Sequence, residues 1–487
     1  MGFFASIFGK RKSKSDNRPP RVFFTNTLSD SKELFISLKP GIVSMYTCGP
    51  TMYGPAHIGN LRAYVFSDTI VRILSFAGYR VQRVINITDF GHLVSEGDDG
   101  EDKMTKGLNR EGLPLTMSNM RAMADKYTNI FLEDLSEVNV DVEQITFPRA
   151  SDYIPEQIAL IKTLEQKGYT YNTSDGVYFD TSKFSGYGKL GGINLSEQKT
   201  GARVRQNREK RNPADFVLWK PDAKLGWESP WGLGFPGWHI ECSAMSRSLL
   251  GQEIDIHMGG EDLIPIHHNN EIAQSESASG RTFAHYWMHN AFLTMSGEKA
   301  SKSLGNVVYL SDIIKKGFNP LALRYFFLQA HYRTPVSFSW DALAGAASAL
   351  DRLWYMSRDV ANESGRKSSP SEARVRFLTA MRDDLATPQA LGIIWDSLRS
   401  EEYAPKEKWG LLEDADSHFG LSLLNPPAVK TLKAHDIPPE IQNMLERRGI
   451  ARSSKDFKEA DRIRDDIEKS GYHVDDGPEG PLLTKHS

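Results

Sequence analysis

The chain has 487 residues, 40% hydrophobic and 25% charged, with two cysteines and a formal net charge of −3. This length predicts about three domains with large cores and excludes global disorder. Two cysteines exclude a disulfide-stapled fold and favour a reducing, cytoplasmic setting, and the charge excludes a protein that coats nucleic acid by bulk attraction, so a polyanion partner needs local basic patches.

Residues 1–9 are apolar and precede Lys10-Arg11-Lys12. The run is too short to span a bilayer and its charges follow it, so residues 1–22 are expected to be a disordered tail. Nothing later approaches transmembrane length, which predicts a soluble protein with no membrane partner. Residues 40–90 read as a β-α-β unit. Residues 42–47 form an apolar strand, and residues 57–77 place Leu61, Val65, Phe66, Ile70, Ile73, Leu74 and Ala77 at helical spacing before Gly78. A second strand over 81–87 ends at Thr88-Asp89. Parallel sheets bind ligands at the carboxyl ends of their strands, so Cys48, His57 and Thr88 are expected in one crevice.

Residues 115–225 read as an insertion, with a helix over 154–167 and a strand-like patch at Gly176-Val177-Tyr178-Phe179. Residues 226–295 return to strand–helix alternation, and a polar loop follows at 296–303. Beyond Pro320 the pattern is helical, with Ala347, Leu350, Leu353 and Trp354 on one stripe. An exposed connection over 362–372 precedes a helical block over 377–398. After Asn425-Pro426-Pro427 comes a small tail with a basic helix over 455–469, closed by Gly471. The predicted fold is α/β: a Rossmann-like parallel-sheet domain (23–295), a loop and connecting region (296–345), an α-helical domain (346–425) and a small C-terminal region (426–487).

The cysteines sit in distinct settings. Cys48 lies in Tyr46-Thr47-Cys48-Gly49-Pro50-Thr51, nine residues before His57-Ile58-Gly59-Asn60. Cys242 ends Pro236-Gly237-Trp238-His239-Ile240-Glu241-Cys242. In His267-His268-Asn269-Asn270-Glu271, His267 and Glu271 share one face if the segment is helical. Two thiolates, an imidazole and a carboxylate make a complete ligand set for zinc, and also suit other soft or borderline metals. Two scattered cysteines alone read more readily as buried, inert thiols.

His57-Ile58-Gly59-Asn60 and Lys299-Ala300-Ser301-Lys302-Ser303 resemble the HIGH and KMSKS motifs of class I aminoacyl-tRNA synthetases. Cys48-Gly49-Pro50-Thr51 and Gly237-Trp238-His239-Ile240-Glu241-Cys242 resemble the cysteinyl-tRNA synthetase family in particular. The resemblance runs over about 23–480 and includes Phe147-Pro148-Arg149-Ala150, Phe216-Val217-Leu218-Trp219-Lys220 and Lys455-Asp456-Phe457. It implies a ligase that activates L-cysteine with ATP to cysteinyl-adenylate and transfers it to the 3′-terminal adenosine of tRNA(Cys). It assigns Cys48, Cys242, His267 and Glu271 to one Zn²⁺, with His268 as the competing imidazole. Selection of a thiolate over a serine hydroxyl at the metal makes separate editing unnecessary.

By the same resemblance, His57, Asn60, Lys299 and Lys302 are catalytic, and these four with Gly59, Gly259 and Gly260 hold ATP with its Mg²⁺. The helix end at His57 favours phosphate through its backbone N–H groups and dipole, Gly59 leaves a bare backbone for adenine, and the lysine loop closes over the phosphates. Gly49, Thr88, Trp238 and Asp262 form the cysteine pocket, with Asp262 pairing the substrate ammonium. For tRNA, the nine residues from Arg203 to Arg211 carry five basic side chains, and Arg447, Arg448, Arg452, Lys455, Lys458, Arg462 and Arg464 form a second basic region. A monomer is expected. The chain departs from the family at Ala300, usually Met, and at Asn269, often Glu, where lost charge is expected to weaken support around the metal. Two alternatives are a cysteine ligase with a small acceptor, as in the mycothiol pathway, and a non-catalytic tRNA-binding paralogue.

Overall fold

An antiparallel hairpin, β1 (Phe23–Asn26) and β2 (Ser31–Leu34), precedes the strand–helix–strand unit β3 (Ile42–Thr47), α1 (Ile58–Phe76) and β4 (Arg80–Ile85). The computed structural model describes residues 20–91, 103–192, 209–295, 298–299, 307–427, 437–477 and 480–485. Helices α2 (Lys103–Glu111) and α3 (Met117–Glu137) lead to β5 (Ile145–Thr146). Then come α4 (Ile154–Gln166) and an antiparallel sheet of β6 (Thr170–Thr173), β7 (Gly176–Phe179), β8 (Phe216–Pro221) and β9 (Gly234–Pro236). The chain returns through α5 (Trp238–Leu250), β10 (Ile254–Gly260), α6 (Asn269–Ser279) and β11 (Ala284–Asn290).

The central sheet has the order β11-β10-β3-β4-β5 and all its pairs are parallel. Val43, Met45, Tyr46, Ile254, Ile256 and Met258 are buried along β3 and β10, the continuous apolar signature of strands covered on both faces. From β3 the chain moves one way to β4 and later returns on the other side as β10. The crevice between the carboxyl ends of β3 and β10 is therefore the topological switch point, where such sheets bind ligands.

A small sheet then joins β12 (Leu293–Met295), β13 (Glu298–Lys299) and β14 (Val336–Phe338), with α7 (Leu310–Lys315) and α8 (Pro320–Leu328) between the last two. Four helices follow: α9 (Trp340–Ser364), α10 (Glu372–Arg382), α11 (Thr387–Arg399) and α12 (Pro405–Phe419). The tail holds α13 (Pro439–Ser453), α14 (Phe457–Lys469) and the hairpin β15 (Tyr472–Gly477) and β16 (Gly480–Lys485).

The helical block expected over 377–398 is two helices. Asp384 and Leu385 break it at φ 58° and 52°. The Asp384 carboxylate accepts hydrogen bonds from the Thr25 backbone N–H (2.8 Å) and Tyr332 hydroxyl (2.8 Å), so distant partners override local helix propensity. Likewise α14 begins at Phe457 because Lys455 turns at φ 61° and the Asp456 side chain caps the Glu459 N–H.

A buried charge node locks α1 to later helices. Asp68 meets Arg72 at 2.6 Å, Arg324 of α8 at 2.6 Å and Arg83 at 3.4 Å. Arg324 also donates to the carbonyls of Val138, Asn139 and Phe419, tying in the ends of α3 and α12. Burial works against ionisation of Asp68, but Arg324, Arg72 and Arg83 outweigh it and hold the carboxyl at about 2, below its ordinary 3.8. A folded pKa below the unfolded one adds stability that is present above the ordinary value and lost as pH falls toward the folded one. Asp68→Asn is expected to cost about 3 kcal/mol in urea unfolding at neutral pH, the scale for breaking a buried ion pair. The gap to wild type should narrow as pH falls from 3.8 to about 2; a gap independent of pH would remove the carboxylate's charge from the account.

Candidate active site

Past β3 the chain turns across the sheet's carboxyl edge. The Cys48 N–H donates to the Met258 carbonyl (3.0 Å) and the Gly49 N–H to Asn86 Oδ1 (2.7 Å). A Cβ on Gly49 would lie 1.6 Å from the Asn86 carbonyl oxygen, so only glycine permits this approach. The cleft formed here holds about 870 Å³ and is lined by Cys48, Gly49, His57, Asn60, Trp238 and Asp262, among others.

At its floor, ligand atoms of Cys48, Cys242, His267 and Glu271 all lie within 4.8 Å of one another. Each comes from a different place: the end of β3, α5, a π-helical turn at Ile264–His268, and α6. The wide turn still leaves His267 Nε2 3.1 Å from Glu271 Oε1, so the expected pairing of these two survives the change of helix type. Two further imidazoles hold the set: His239 Nδ1 lies 2.8 Å from His267 Nδ1, and His257 Nε2 lies 2.9 Å from Glu271 Oε2. Such outer partners fix ring orientation and ligand basicity around a metal.

Cys48, His257, His268 and Glu271 satisfy the same distance criterion. The cleft separates the two sets. Cys48, Cys242 and His267 face it, whereas His257 and His268 lie behind. His268 Nε2 lies 3.3 Å from Cys48 Sγ and its Nδ1 2.7 Å from His289 Nε2, and burial together with its histidine neighbours pushes its pKa well below the ordinary value. Of the two, the first set is the one that opens into the cleft.

Electrostatics favour a cation there. A hydrogen bond from Cys48, helped by His267, lowers the Cys242 thiol despite burial. Burial opposes charge on Glu271 and His267, yet His257 and then His267 hold Glu271 at about 2, while Glu271 and Cys242 raise His267 to about 10. A metal ion held by His267 would have to displace a proton from its ring.

At the His57-Ile58-Gly59-Asn60 motif, His57 caps α1. Its Nδ1 accepts the Asn60 N–H (3.3 Å), while Asn60 Oδ1 accepts the His57 N–H (3.2 Å) and the Ile58 N–H donates to the Val308 carbonyl (2.9 Å). The backbone N–H groups of His57, Ile58 and Asn60 are therefore engaged within the protein, and Asn60 Nδ2 is a side-chain donor at the same helix end. Gly59 lines the cleft, and a Cβ there would stand 3.0 Å from His57 Nδ1, so the glycine also makes room for its own cap.

Thr88 does not line the cleft. It is buried, and its hydroxyl donates to Glu241 Oε2 (2.7 Å) while accepting from Asn86 Nδ2 (3.3 Å), so Asn86 takes the wall position and Thr88 supports it from behind. Gly260 lines the cleft; Gly259 does not, facing Leu263 and His268. Lys299 lies in β13, paired with Thr294. Ala300, Lys302 and most of the 203–211 basic run lie outside the described residues.

Residues 34–348 match the family model described as tRNA synthetases class I (C) catalytic domain, and residues 434–480 match the cysteinyl-tRNA ligase anticodon binding domain. The chain belongs to the cysteine–tRNA ligase family. Cysteine–tRNA ligase 1 of Burkholderia lata is 44% identical over 466 residues, covering 94% of this chain and 96% of that one. The cysteine–tRNA ligase of Treponema denticola is 41% identical over 483 residues, covering 93% and 97%. Among solved structures, Mycobacterium tuberculosis methionyl-tRNA synthetase in complex with methionyl-adenylate aligns with a TM-score of 0.56 at 16% identity, covering 79% of this chain and 91% of that one, which shows the shared fold.

Against that family pattern, Asn269 has a structural reason. Its Nδ2 donates to the carbonyls of Leu190 (3.1 Å) and Ile264 (2.7 Å), and its Oδ1 accepts the Leu190 N–H (3.3 Å). A glutamate carboxylate could donate to neither carbonyl. Asn269 therefore fastens the π turn that carries His267. Sequence reading passed over His239, His257, Asn86 and the cleft-lining Lys103, Lys106 and Arg110. Only the last three left a signal, their spacing along one helical face.

Proposed function

We infer that the chain is a cysteine–tRNA ligase that adenylates L-cysteine and transfers it to the 3′-terminal adenosine of tRNA(Cys). The observation that carries this reading is the thiolate–imidazole–carboxylate cluster opening into the same switch-point cleft as the capped end of α1. Cys48, Cys242, His267 and Glu271 would hold a zinc ion, which when bound supplies a soft site that takes a thiolate in preference to a hydroxyl. Asp262 would pair the substrate ammonium and Trp238 wall the pocket, leaving the cysteine carboxylate free to attack the α-phosphorus of ATP. His57 and Asn60, with Lys299 and Lys302, would steady the charge on the phosphates as pyrophosphate leaves with its Mg²⁺. A hydroxyl of the terminal adenosine then attacks the adenylate carbonyl, and AMP departs.

The match of residues 434–480 to an anticodon-binding domain supports tRNA over a small acceptor. No helix among the described residues is long and apolar enough to cross a membrane, and a cytoplasmic monomer fits the reading. The test is charging of total tRNA with labelled cysteine and ATP. Cysteine should be charged and serine suppressed by at least ~10⁴-fold, the discrimination available when a site is built around the group a competitor lacks. Cysteine-dependent pyrophosphate exchange without charging would sink the tRNA acceptor, and absence of both would sink catalysis.

A further inference from the structure

Lys103, Lys106 and Arg110 occupy positions i, i+3 and i+7 of α2, a single helical face about 10 Å long. All three line the cleft. Their helix is seated without slack, because a Cβ on Gly107 would stand 2.9 Å from both the Met123 sulfur and the Tyr53 carbonyl oxygen. Arg110 donates to that same Tyr53 carbonyl (2.5 Å), in the loop that leads into α1, and to the Tyr127 hydroxyl (3.2 Å). At the other end, Lys103 Nζ sits 5.0 Å over the Trp238 ring. The cationic face thus runs from the wall of the amino-acid pocket to the loop before His57.

Charge balance singles this wall out. Among the described residues that line the cleft, Asp262 is the only carboxylate, in a chain whose formal net charge is −3. An excess of cations along one fixed wall of a concave site concentrates anions there.

We propose that this face of α2 is a phosphate-binding wall of the cleft, separate from the α1 cap and the lysine loop. The proposal rests on the ligase reading for the source of the phosphates, which is either the ATP triphosphate or the 3′ end of tRNA. Lys103 marks where the cysteinyl group meets the first phosphate, and Lys106 and Arg110 receive those farther along.

The test is equilibrium binding of ATP and of total tRNA to the full chain, without turnover, for wild type, Lys106→Glu and the double variant Lys103→Gln, Lys106→Gln. Lys106 is exposed, so its replacement leaves the core intact. One ligand should bind at least ~10-fold weaker, and if that ligand is tRNA its log–log salt slope should fall by about one per cation removed. Metal content and melting temperature should be unchanged. Weakened ATP binding assigns the wall to the triphosphate, and weakened tRNA binding to the acceptor end. Affinities for both within twofold of wild type overturn the proposal and leave α2 a solvated surface. Wild-type charging, measured in parallel, reports on the ligase reading independently.

Discussion

Cys242→Ser is expected to strip the purified protein of its metal and reduce cysteine-dependent pyrophosphate exchange by more than ~100-fold, the loss seen when even an outer partner of a metal ligand is removed. The Cys242 sulfur lies in the four-residue cluster, where the Cys48 hydrogen bond and His267 bias it toward thiolate. A serine hydroxyl stays protonated at neutral pH and offers a hard oxygen where the site presents soft sulfur. Elemental analysis gives a readout separate from rate. Since a metal ion bound there would displace a His267 proton, affinity should also weaken as pH falls. Full metal content in Cys242→Ser with loss in His268→Gln would move the ion to the set built on His257 and His268.

What could be read in the sequence was what local spacing encodes. The strand–helix–strand unit was legible because the α1 apolar residues repeat at helical period and Gly78 ends the run. The pairing of His267 with Glu271 was legible from a four-residue interval, and it held although the turn is π-helical. Direction was harder to read. Thr88 follows β4 as expected, yet it turns toward Glu241, a choice made by a partner 153 residues away. The break at Asp384 depends on Thr25, 359 residues distant, and no window over 377–398 contains that information. At the α1 end the motif pointed to His57 and Asn60 but not to what they do with their own backbone, since the two cap each other.

Arg62→Lys is expected to slow exchange by more than tenfold while leaving the KM for cysteine and the metal content nearly unchanged; the reason is geometric. Arg62 stands in α1 just past Gly59 and Asn60 and is 2% exposed. Its guanidinium donates to five carbonyls: Ala291 (2.8 Å), Phe292 (2.9 Å), Thr334 (2.6 Å), His331 (3.4 Å) and Tyr332 (3.4 Å). Burial lowers its pKa to about 10, with Glu261 opposing, so it remains charged at neutral pH. Those carbonyls belong to the corner between β11 and β12 and to the turn before β14. β12 pairs with β14 on one side and with β13, which carries Lys299, on the other. One side chain therefore sets the position of the capped end of α1 relative to the base of the lysine loop. A lysine ammonium has three donors and no planar fork, so at least two carbonyls lose their partner, at about 1–3 kcal/mol each. Cys48, Cys242, His267 and Glu271 stand on other elements, which is why cysteine binding and metal should be spared while kcat falls. Kinetics are to be measured well below the variant's unfolding transition. A lowered melting temperature with kcat within twofold of wild type would make Arg62 a brace of the core and nothing more.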